Sequence, residues 1–287
     1  MTGYLRMEPL LSEYYKPILK WAGGKRQILP ILIKNVPDKF NTYYEPFIGG
    51  AALLISLYSL NRINKAVISD INTDLYNLYR TIRDNPHQLI EELSNLKFKN
   101  NKDNYYDARE SFNSNRDPIE RSALLIYLNR HGYNGLYRVN SKNEFNVPFG
   151  KYNNPGMPFP EKIMFLSELF QSCTIMNSDF EIAVNDALEG DFVYFDPPYM
   201  PLSKTSSFTG YTHLGFDEKD QERLARLFRD LSNKGVYVME SNSSTEFIKD
   251  LYNGFELLEI DARRNINSVG TKRNPIKELI ITNYGVV

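Results

Sequence analysis

Short apolar runs alternate along this chain with longer stretches in which apolar residues recur at helical spacing. Short apolar runs bounded by turn residues are typical of buried strands, and the longer stretches are typical of amphipathic helices. The predicted strands are 43–47, 66–71, 174–177, 192–195, 236–241, 255–260 and 278–283. This alternation predicts an α/β fold in which helices cover a twisted, largely parallel sheet.

The pattern changes between about residues 75 and 168. Helices are predicted at 75–83, 86–96 and 118–128, and a turn-rich segment follows from 130 to 160. Because no repeat or low-complexity linker flanks this region, we expect an insertion packed beside the sheet. The predicted organisation is one domain built from residues 1–74 and 166–287, with residues 75–165 inserted into it.

Composition narrows the function classes. A chain of 287 residues with 42% hydrophobic content can bury a full core, and its net charge of −1 means that nucleic-acid binding would need local patches. The single cysteine, Cys173, excludes an internal disulfide and a cysteine-built metal site. His87, His131 and His213 lack metal-ligand spacing. We therefore expect an intracellular protein without a metal, and the absence of a long apolar span or signal-peptide pattern predicts no membrane segment.

The segment Asp196-Pro197-Pro198-Tyr199 directly follows the predicted strand 192–195. It places a carboxylate, a stiff turn and an aromatic ring at one strand end. An enzyme that alkylates an exocyclic amine must localise the nitrogen lone pair, which the Asp196 carboxylate and the Pro197 carbonyl can do by accepting the two N–H groups. Tyr199 can stack on a flipped base. The alternative is a strand that simply ends in a Pro-Pro turn, with Asp196 as a cap.

A glycine-containing turn, residues 45–51, follows the first predicted strand, and Asp70 ends the second, about 20 residues later. This spacing is typical of dinucleotide-type folds, in which an acidic residue binds the ribose hydroxyls. Because the turn is not G-x-G-x-x-G, it suits a nucleoside without a pyrophosphate, such as S-adenosylmethionine, better than NAD. A tight strand–helix turn with a capping aspartate is the alternative.

Lys20-Trp21-Ala22-Gly23-Gly24-Lys25 contains the only tryptophan in the chain. The glycines predict a flexible cradle, in which Lys25 can bind a ligand carboxylate or a backbone phosphate. Trp21 can cover a polar ligand or pack against the core. The spacing of a nucleoside-triphosphate loop is missing, which excludes that class of ligand.

Residues 129–151 interleave asparagine, arginine and tyrosine with glycine. From Arg130 to Lys151 there are four cationic residues and one acidic residue, Glu144. Arginine reads guanine, asparagine reads adenine, and tyrosine or leucine can wedge into a base step. A second basic stretch, 262–277, can contact phosphate. Solvated surface loops are the alternative for both segments.

Together these segments resemble the Dam-type DNA adenine-N6 methyltransferases of the D12 class, and they follow that family's order of cofactor motif, recognition domain and catalytic motif. The resemblance covers nearly the whole chain. It implies a Rossmann-like S-adenosylmethionine-dependent methyltransferase sheet, formed by residues 1–74 and 166–287, with a mostly helical target-recognition domain inserted at 75–165. The segments that carry it are 20–25, 45–50, Asp70 within 69–72, 133–140, 145–150, 196–199 and 241–242.

The resemblance also implies roles for particular residues. S-adenosylmethionine would be bound by Trp21, Lys25, Asp70 and Asp196, with Glu45, Phe47, Asp179 and Phe180 lining the same site. Asp196, Pro197 and Tyr199 would hold the target adenine. The residues implied in DNA binding are Tyr133, Asn134, Leu136, Arg138, Asn140, Pro148 and Lys151, among which Tyr133 would enter a base step and Arg138 would read guanine.

One departure from the family pattern is visible. Family members commonly have F-x-G-x-G where this chain has Phe47-Ile48-Gly49-Gly50-Ala51. An alanine is strained at a positive φ but harmless at a helical φ, and we expect the helical value at Ala51.

The expected activity is transfer of a methyl group from S-adenosylmethionine, which leaves as S-adenosylhomocysteine, to N6 of adenine in double-stranded DNA, within GATC, by base flipping and direct in-line transfer. The expectation includes no obligatory protein partner, although a cognate restriction endonuclease is possible, and a location in the bacterial cytoplasm or a phage-infected cell. Two rival classes stay open: an N4-cytosine or RNA adenine methyltransferase, and a non-catalytic DNA-binding protein with the same fold.

Overall fold

A computed structural model describes residues 15–200, 215–262 and 276–285. Seven strands form one sheet in the order β3-β2-β1-β4-β5-β7-β6. They are β1 (Tyr43–Glu45), β2 (Ala66–Ser69), β3 (Cys173–Met176), β4 (Phe192–Phe195), β5 (Tyr237–Ser243), β6 (Glu256–Ala262) and β7 (Ile276–Thr282). The first five strands are parallel, and β7 is antiparallel to β5 and β6. This Rossmann-like order confirms the predicted α/β fold class.

All seven predicted strands are present, and β4 has the predicted bounds. β1 ends at Glu45, two residues before the predicted end. The reason is local, because Pro46 has no N–H with which to continue the ladder.

The described α-helices are α1 (Leu29–Asn35), α2 (Ala52–Ser59), α3 (Thr73–Asp84), α4 (Pro86–Asn95), α5 (Lys102–Ser114), α6 (Pro118–His131), α7 (Pro160–Gln171), α8 (Phe180–Ala183), α9 (Glu218–Asn233) and α10 (Glu246–Leu251). Short 3₁₀ helices occur at Lys25–Gln27 and Tyr133–Gly135. Helices α3 and α6 contain the segments predicted at 75–83 and 118–128, and α4 ends at Asn95, one residue before the predicted end of the segment 86–96. Helix α5 was not predicted, because its apolar positions are few and spaced among polar residues; Tyr105, Ala108 and Phe112 form its buried face.

Alternate residues of β4 point to opposite faces of the sheet. Phe192 and Tyr194 belong to a core cluster that also contains Leu124 of α6 and Tyr105 of α5. Val193 and Phe195 belong to a second cluster, which packs under α9 and α10. Helices α5 and α6 therefore share a core with the first face of the sheet. Helix α7 crosses the boundary predicted at residue 165.

The strand order reverses between β1 and β4, which neighbour each other although they are distant in sequence. In open α/β sheets, the crevice at the carboxyl ends of such strands is the usual ligand site. Glu45, Asp70 and Asp196 all lie at the carboxyl ends of β1, β2 and β4, at this edge. Among the helices of the described residues, none is long and apolar enough to span a membrane.

Candidate active site

Two donors converge on one oxygen of the Asp196 carboxylate. Lys25 Nζ lies 2.6 Å from Oδ1, and Ser241 Oγ lies 3.0 Å from the same atom. Within the described residues, no side chain or backbone group donates to Oδ2. Burial raises the pKa of Asp196 more than Lys25 and Ser241 lower it. The carboxylate is therefore held at Oδ1 while Oδ2 is left to accept a hydrogen bond from a ligand.

Tyr199 and Lys25 are packed together beside this carboxylate. Lys25 Nζ lies 4.6 Å from the centroid of the Tyr199 ring and donates to the Gly23 carbonyl at 2.7 Å. The Tyr199 hydroxyl donates to Glu278 Oε2 at 3.1 Å. The sequence-predicted residues Lys25, Asp196 and Tyr199 are thus brought together, with the Lys25 ammonium against the carboxylate and over the aromatic face.

Asp70 holds the glycine turn after β1. Its Oδ2 accepts the Gly49 N–H at 3.1 Å, and its Oδ1 accepts the Asn72 N–H at 2.9 Å. Burial raises the pKa of Asp70 to about 6. The Trp21 ring lies directly on the turn, since a Cβ added to Gly49 would lie 2.9 Å from Trp21 Cδ1. The two segments predicted to bind a cofactor are therefore in contact.

Ala51 has a left-handed backbone, with φ 61° and ψ 30°. The expectation of a helical φ at this position was wrong. Ala51 closes the turn by donating to the Ile48 carbonyl at 2.7 Å, and α2 begins at the next residue. The change of direction from β1 to α2 is made at this residue, so it requires a positive φ whichever side chain is present.

The other predicted cofactor residues divide into a buried carboxyl and an aromatic pair. Glu45 is almost fully buried and accepts from the Tyr43 hydroxyl at 2.8 Å, and burial raises the pKa of Glu45 to about 8. The Phe47 and Phe180 rings stack at 5.4 Å with an interplanar angle of 27°. Asp179 caps the N-terminus of α8 and pairs with Arg223 at 3.0 Å. The aromatic pair forms an apolar wall near the turn.

The predicted DNA-binding residues lie on one antiparallel loop. Its two arms are joined by bridges between Gly132 and Phe149 and between Val139 and Phe145. Arg138 is exposed, and it donates from Nε to Asn146 Oδ1 at 2.6 Å and from Nη2 to the Asn146 carbonyl at 3.2 Å. Two of the predicted residues, Leu136 and Asn140, are half-buried. The other five are exposed: Tyr133, Asn134, Arg138, Pro148 and Lys151.

This loop is tied to the segment that carries Lys25. The buried Asn129 side chain accepts from Lys20 N and donates to Lys20 O, both at 2.8 Å, and it also donates to Gly135 O at 2.9 Å. The Trp21 and Tyr137 rings lie 5.3 Å apart. A displacement of the loop would consequently change the positions of Trp21 and Lys20.

Ser241 lies in the predicted segment 241–242, but nothing in the sequence indicated that its hydroxyl bonds Asp196. Sequence reasoning also missed Tyr194, whose hydroxyl lies 2.7 Å from Ser241 Oγ. It missed Gln221 of α9 as well. Gln221 had a detectable signal, because it is a polar residue on the apolar stripe of α9. Residues 263–275 of the second basic stretch lie outside the described residues. No group of three His, Cys, Asp or Glu side chains suited to a metal occurs among those that are described.

The chain is similar to one family of known proteins over most of its length. A family model described as D12 class N6 adenine-specific DNA methyltransferase matches residues 21–266. Type II methyltransferase M1.LlaDCHI of Lactococcus lactis subsp. cremoris is 49% identical over 276 residues, which cover 94% of this chain and 96% of that protein. Type II methyltransferase M.MjaIII of Methanocaldococcus jannaschii is 44% identical, with 94% and 99% coverage. The DNA adenine methylase of Haemophilus influenzae is 36% identical, with 93% coverage of both chains.

Proposed function

Since the chain belongs to the D12 class of N6-adenine-specific DNA methyltransferases, we propose that it methylates adenine at N6 within GATC sites of double-stranded DNA, after flipping the base out of the helix. The family is adenine-specific and acts on DNA. Membership therefore argues against the cytosine, RNA and non-catalytic alternatives.

The observation that carries the mechanism is the arrangement of acceptors at the Asp196 turn. Asp196 Oδ2 and the Pro197 carbonyl receive no hydrogen bond from the described residues, whereas Oδ1 already has two donors. A flipped adenine stacked on Tyr199 can donate one N6 hydrogen to each of these acceptors. Accepting both hydrogens localises the nitrogen lone pair and stabilises the positive charge that develops during transfer. No covalent enzyme intermediate is required, so catalysis rests on positioning and electrostatics.

The residues around the glycine turn fit the adenosyl cofactor of this family. Asp70 retains lone pairs that can accept from two ribose hydroxyls, and the stacked Phe47 and Phe180 rings offer an apolar wall for an adenine. Trp21 and Lys25 lie between this turn and Asp196. S-adenosylmethionine, when bound, supplies an electrophilic methyl group for direct in-line transfer.

Sequence recognition is proposed for the inserted region, residues 75–165, through the loop described above. Tyr133 is half exposed and suited to enter a base step, and Arg138 can exchange its Asn146 partner for a guanine edge. The remaining contacts would come from Asn134, Leu136, Asn140, Pro148 and Lys151. We propose that the protein needs no obligatory protein partner and acts on DNA in the bacterial cytoplasm or a phage-infected cell. A cognate restriction endonuclease fits relatives named as Type II methyltransferases.

The test is methylation of an unmethylated plasmid by the purified protein with S-adenosylmethionine, followed by long-read mapping of modified bases. N6-methyladenine confined to GATC is expected. Methylation of adenine in another motif would retain the chemistry and refute the assigned specificity. An absence of methylation on DNA, in a preparation that binds the cofactor by calorimetry, would refute the proposed substrate.

A further inference from the structure

The turn that carries Asp196 has few ways of being held in place. Pro197 and Pro198 are consecutive, and neither has a backbone N–H, so at these two residues the backbone can form hydrogen bonds only through its carbonyl oxygens. Gln221 of α9 donates from Nε2 to the Pro198 carbonyl at 3.0 Å. Ser243 Oγ donates to the Met200 carbonyl at 2.9 Å. Helix α9 and strand β5 therefore hold the carbonyls of Pro198 and Met200.

The direction of the Gln221 amide is set by a buried series of hydrogen bonds. The Ser243 N–H donates to Asn242 Oδ1 at 2.8 Å, which leaves the Asn242 amide nitrogen as a donor. That nitrogen donates to Gln221 Oε1 at 2.9 Å and to Glu240 Oε1 at 2.8 Å. Gln221 must then present its own nitrogen to Pro198, since a flipped amide would place two oxygens face to face.

These polar side chains lie where apolar ones would be expected. Gln221, Glu240 and Asn242 are fully buried, beside a core cluster that includes Leu224 and Phe228. Buried polar groups cost stability unless each is hydrogen-bonded, and an apolar set of similar volume is often at least as stable. Gln221 connects this series directly to the candidate active-site segment through its bond to the Pro198 carbonyl. Anchoring the turn is therefore a role that these buried polar side chains can fill and apolar ones could not.

We propose that Gln221 is a positioning residue for methyl transfer. By fixing the Pro198 carbonyl it sets the orientation of the preceding peptide, and so directs the Pro197 carbonyl and Asp196 Oδ2 toward the same point. The role of this point as the binding place of the target amine rests on the proposed function. Gln221 itself does not touch the substrate.

The test replaces Gln221 by methionine, which keeps a similar length and removes the donor. Because a misplacement of about 1 Å at a reacting centre can cost about 100-fold in rate, we expect kcat to fall by about 10- to 100-fold. KM for S-adenosylmethionine and for DNA should change by less than about threefold, as expected when only transition-state interactions are lost. If the methionine variant folds poorly, Gln221→Asn replaces it, because it keeps an amide but is too short to span Asn242 and Pro198. It should likewise lower kcat and leave both KM values nearly unchanged.

Asn283→Leu is the matched control. Its amide oxygen accepts from Val238 N of β5 at 2.8 Å, and its amide nitrogen donates to Ser232 Oγ of α9 at 3.1 Å, so it also joins α9 to β5, but at the opposite end of the strand. This variant should lower the melting temperature and leave kcat unchanged. An equal fall of kcat in Asn283→Leu would show that general stability, rather than positioning, explains the effect.

Crystal structures of the wild type and of Gln221→Met supply a readout that does not depend on activity. The Pro198 carbonyl should move while β4 and α9 stay in place. An unmoved turn together with wild-type kcat would overturn the inference. If the wild-type protein failed to methylate DNA, the proposed function would fail, and the position of the turn in the two structures would still decide whether Gln221 anchors it.

Discussion

Replacing Asp196 by asparagine is the sharpest single test of the proposed chemistry. Lys25 Nζ and Ser241 Oγ both contact Oδ1. In the variant, these two donors require the amide oxygen at the Oδ1 position, which puts the amide NH₂ at the Oδ2 position. The side chain keeps its shape and its two partners, but it presents donors to an incoming adenine amine instead of an acceptor.

The size of the effect follows from the loss of one preorganised acceptor. Removing a single such group at a site of developing charge costs about 10²- to 10³-fold in kcat, or about 3–4 kcal/mol. In the variant, the amide NH₂ at position 196 would also face the N6 amine of adenine, donor against donor. This repulsion adds to the loss, so the range given is a lower limit for the fall in kcat. DNA affinity should change little, because the contacts proposed for recognition lie on the loop that carries Tyr133 and Arg138.

The assay is single-turnover methylation at saturating DNA and S-adenosylmethionine, with DNA affinity measured separately by fluorescence anisotropy. Asp191→Asn is the control, because Asp191 is buried at the opposite end of β4 and accepts from Thr42 N and Leu188 N, both at 2.9 Å. It should lose about 1–3 kcal/mol of stability without losing rate. A rate within about tenfold of wild type for Asp196→Asn would refute the assigned role of the carboxylate.

Three further outcomes are expected. Arg138→Ala should weaken binding to the cognate duplex by about 1–3 kcal/mol and relax the site preference in competition assays, whereas a uniform loss on every sequence would identify a phosphate contact. Ala51→Gly should stabilise the protein by about 0.5–1 kcal/mol, because relief of the left-handed strain at φ 61° exceeds the added unfolded-state entropy; a lower melting temperature would contradict this. For Glu45, burial raises the pKa from 4.5 in the unfolded chain to about 8 in the folded protein. Between these two pH values the folded protein retains a proton that the unfolded chain releases, so the free energy of unfolding falls as the pH rises through this window, from 4.5 to about 8. Urea unfolding at both ends of the window should therefore show a smaller loss of stability in Glu45→Gln than in the wild type, and equal losses would contradict the assignment.

The sequence determined the features that depend on neighbours along the chain. An apolar run such as 192–195 forms a strand because its side chains must leave water, and β4 has the predicted bounds. The polar residues that follow such runs, Asp70 and Asp196, had to lie at one edge of the sheet once the strands were known to be parallel. The class of protein followed from these local motifs and their order.

Only the tertiary structure decided which distant groups meet. Ser241 reaches Asp196 because the sheet order sets β5 beside β4, and Lys25 reaches the same oxygen from the 3₁₀ helix Lys25–Gln27, outside the sheet. The order of strands in the sheet cannot be deduced from the spacing of residues along the chain. Gln221 could be noticed as a polar residue on an apolar stripe, but its partner at Pro198 could not.

The backbone conformation at Ala51 was also decided by the tertiary structure. The residue type favours a helical φ, whereas the turn from β1 into α2 imposes a positive one, and Asp70 holds the turn through the Gly49 N–H. Helix α5 likewise forms because Tyr105 and Phe112 are buried by residues from elsewhere in the chain. Local pattern thus determined the elements and the residues of the site, while the packing of those elements determined which atom of each residue faces which partner.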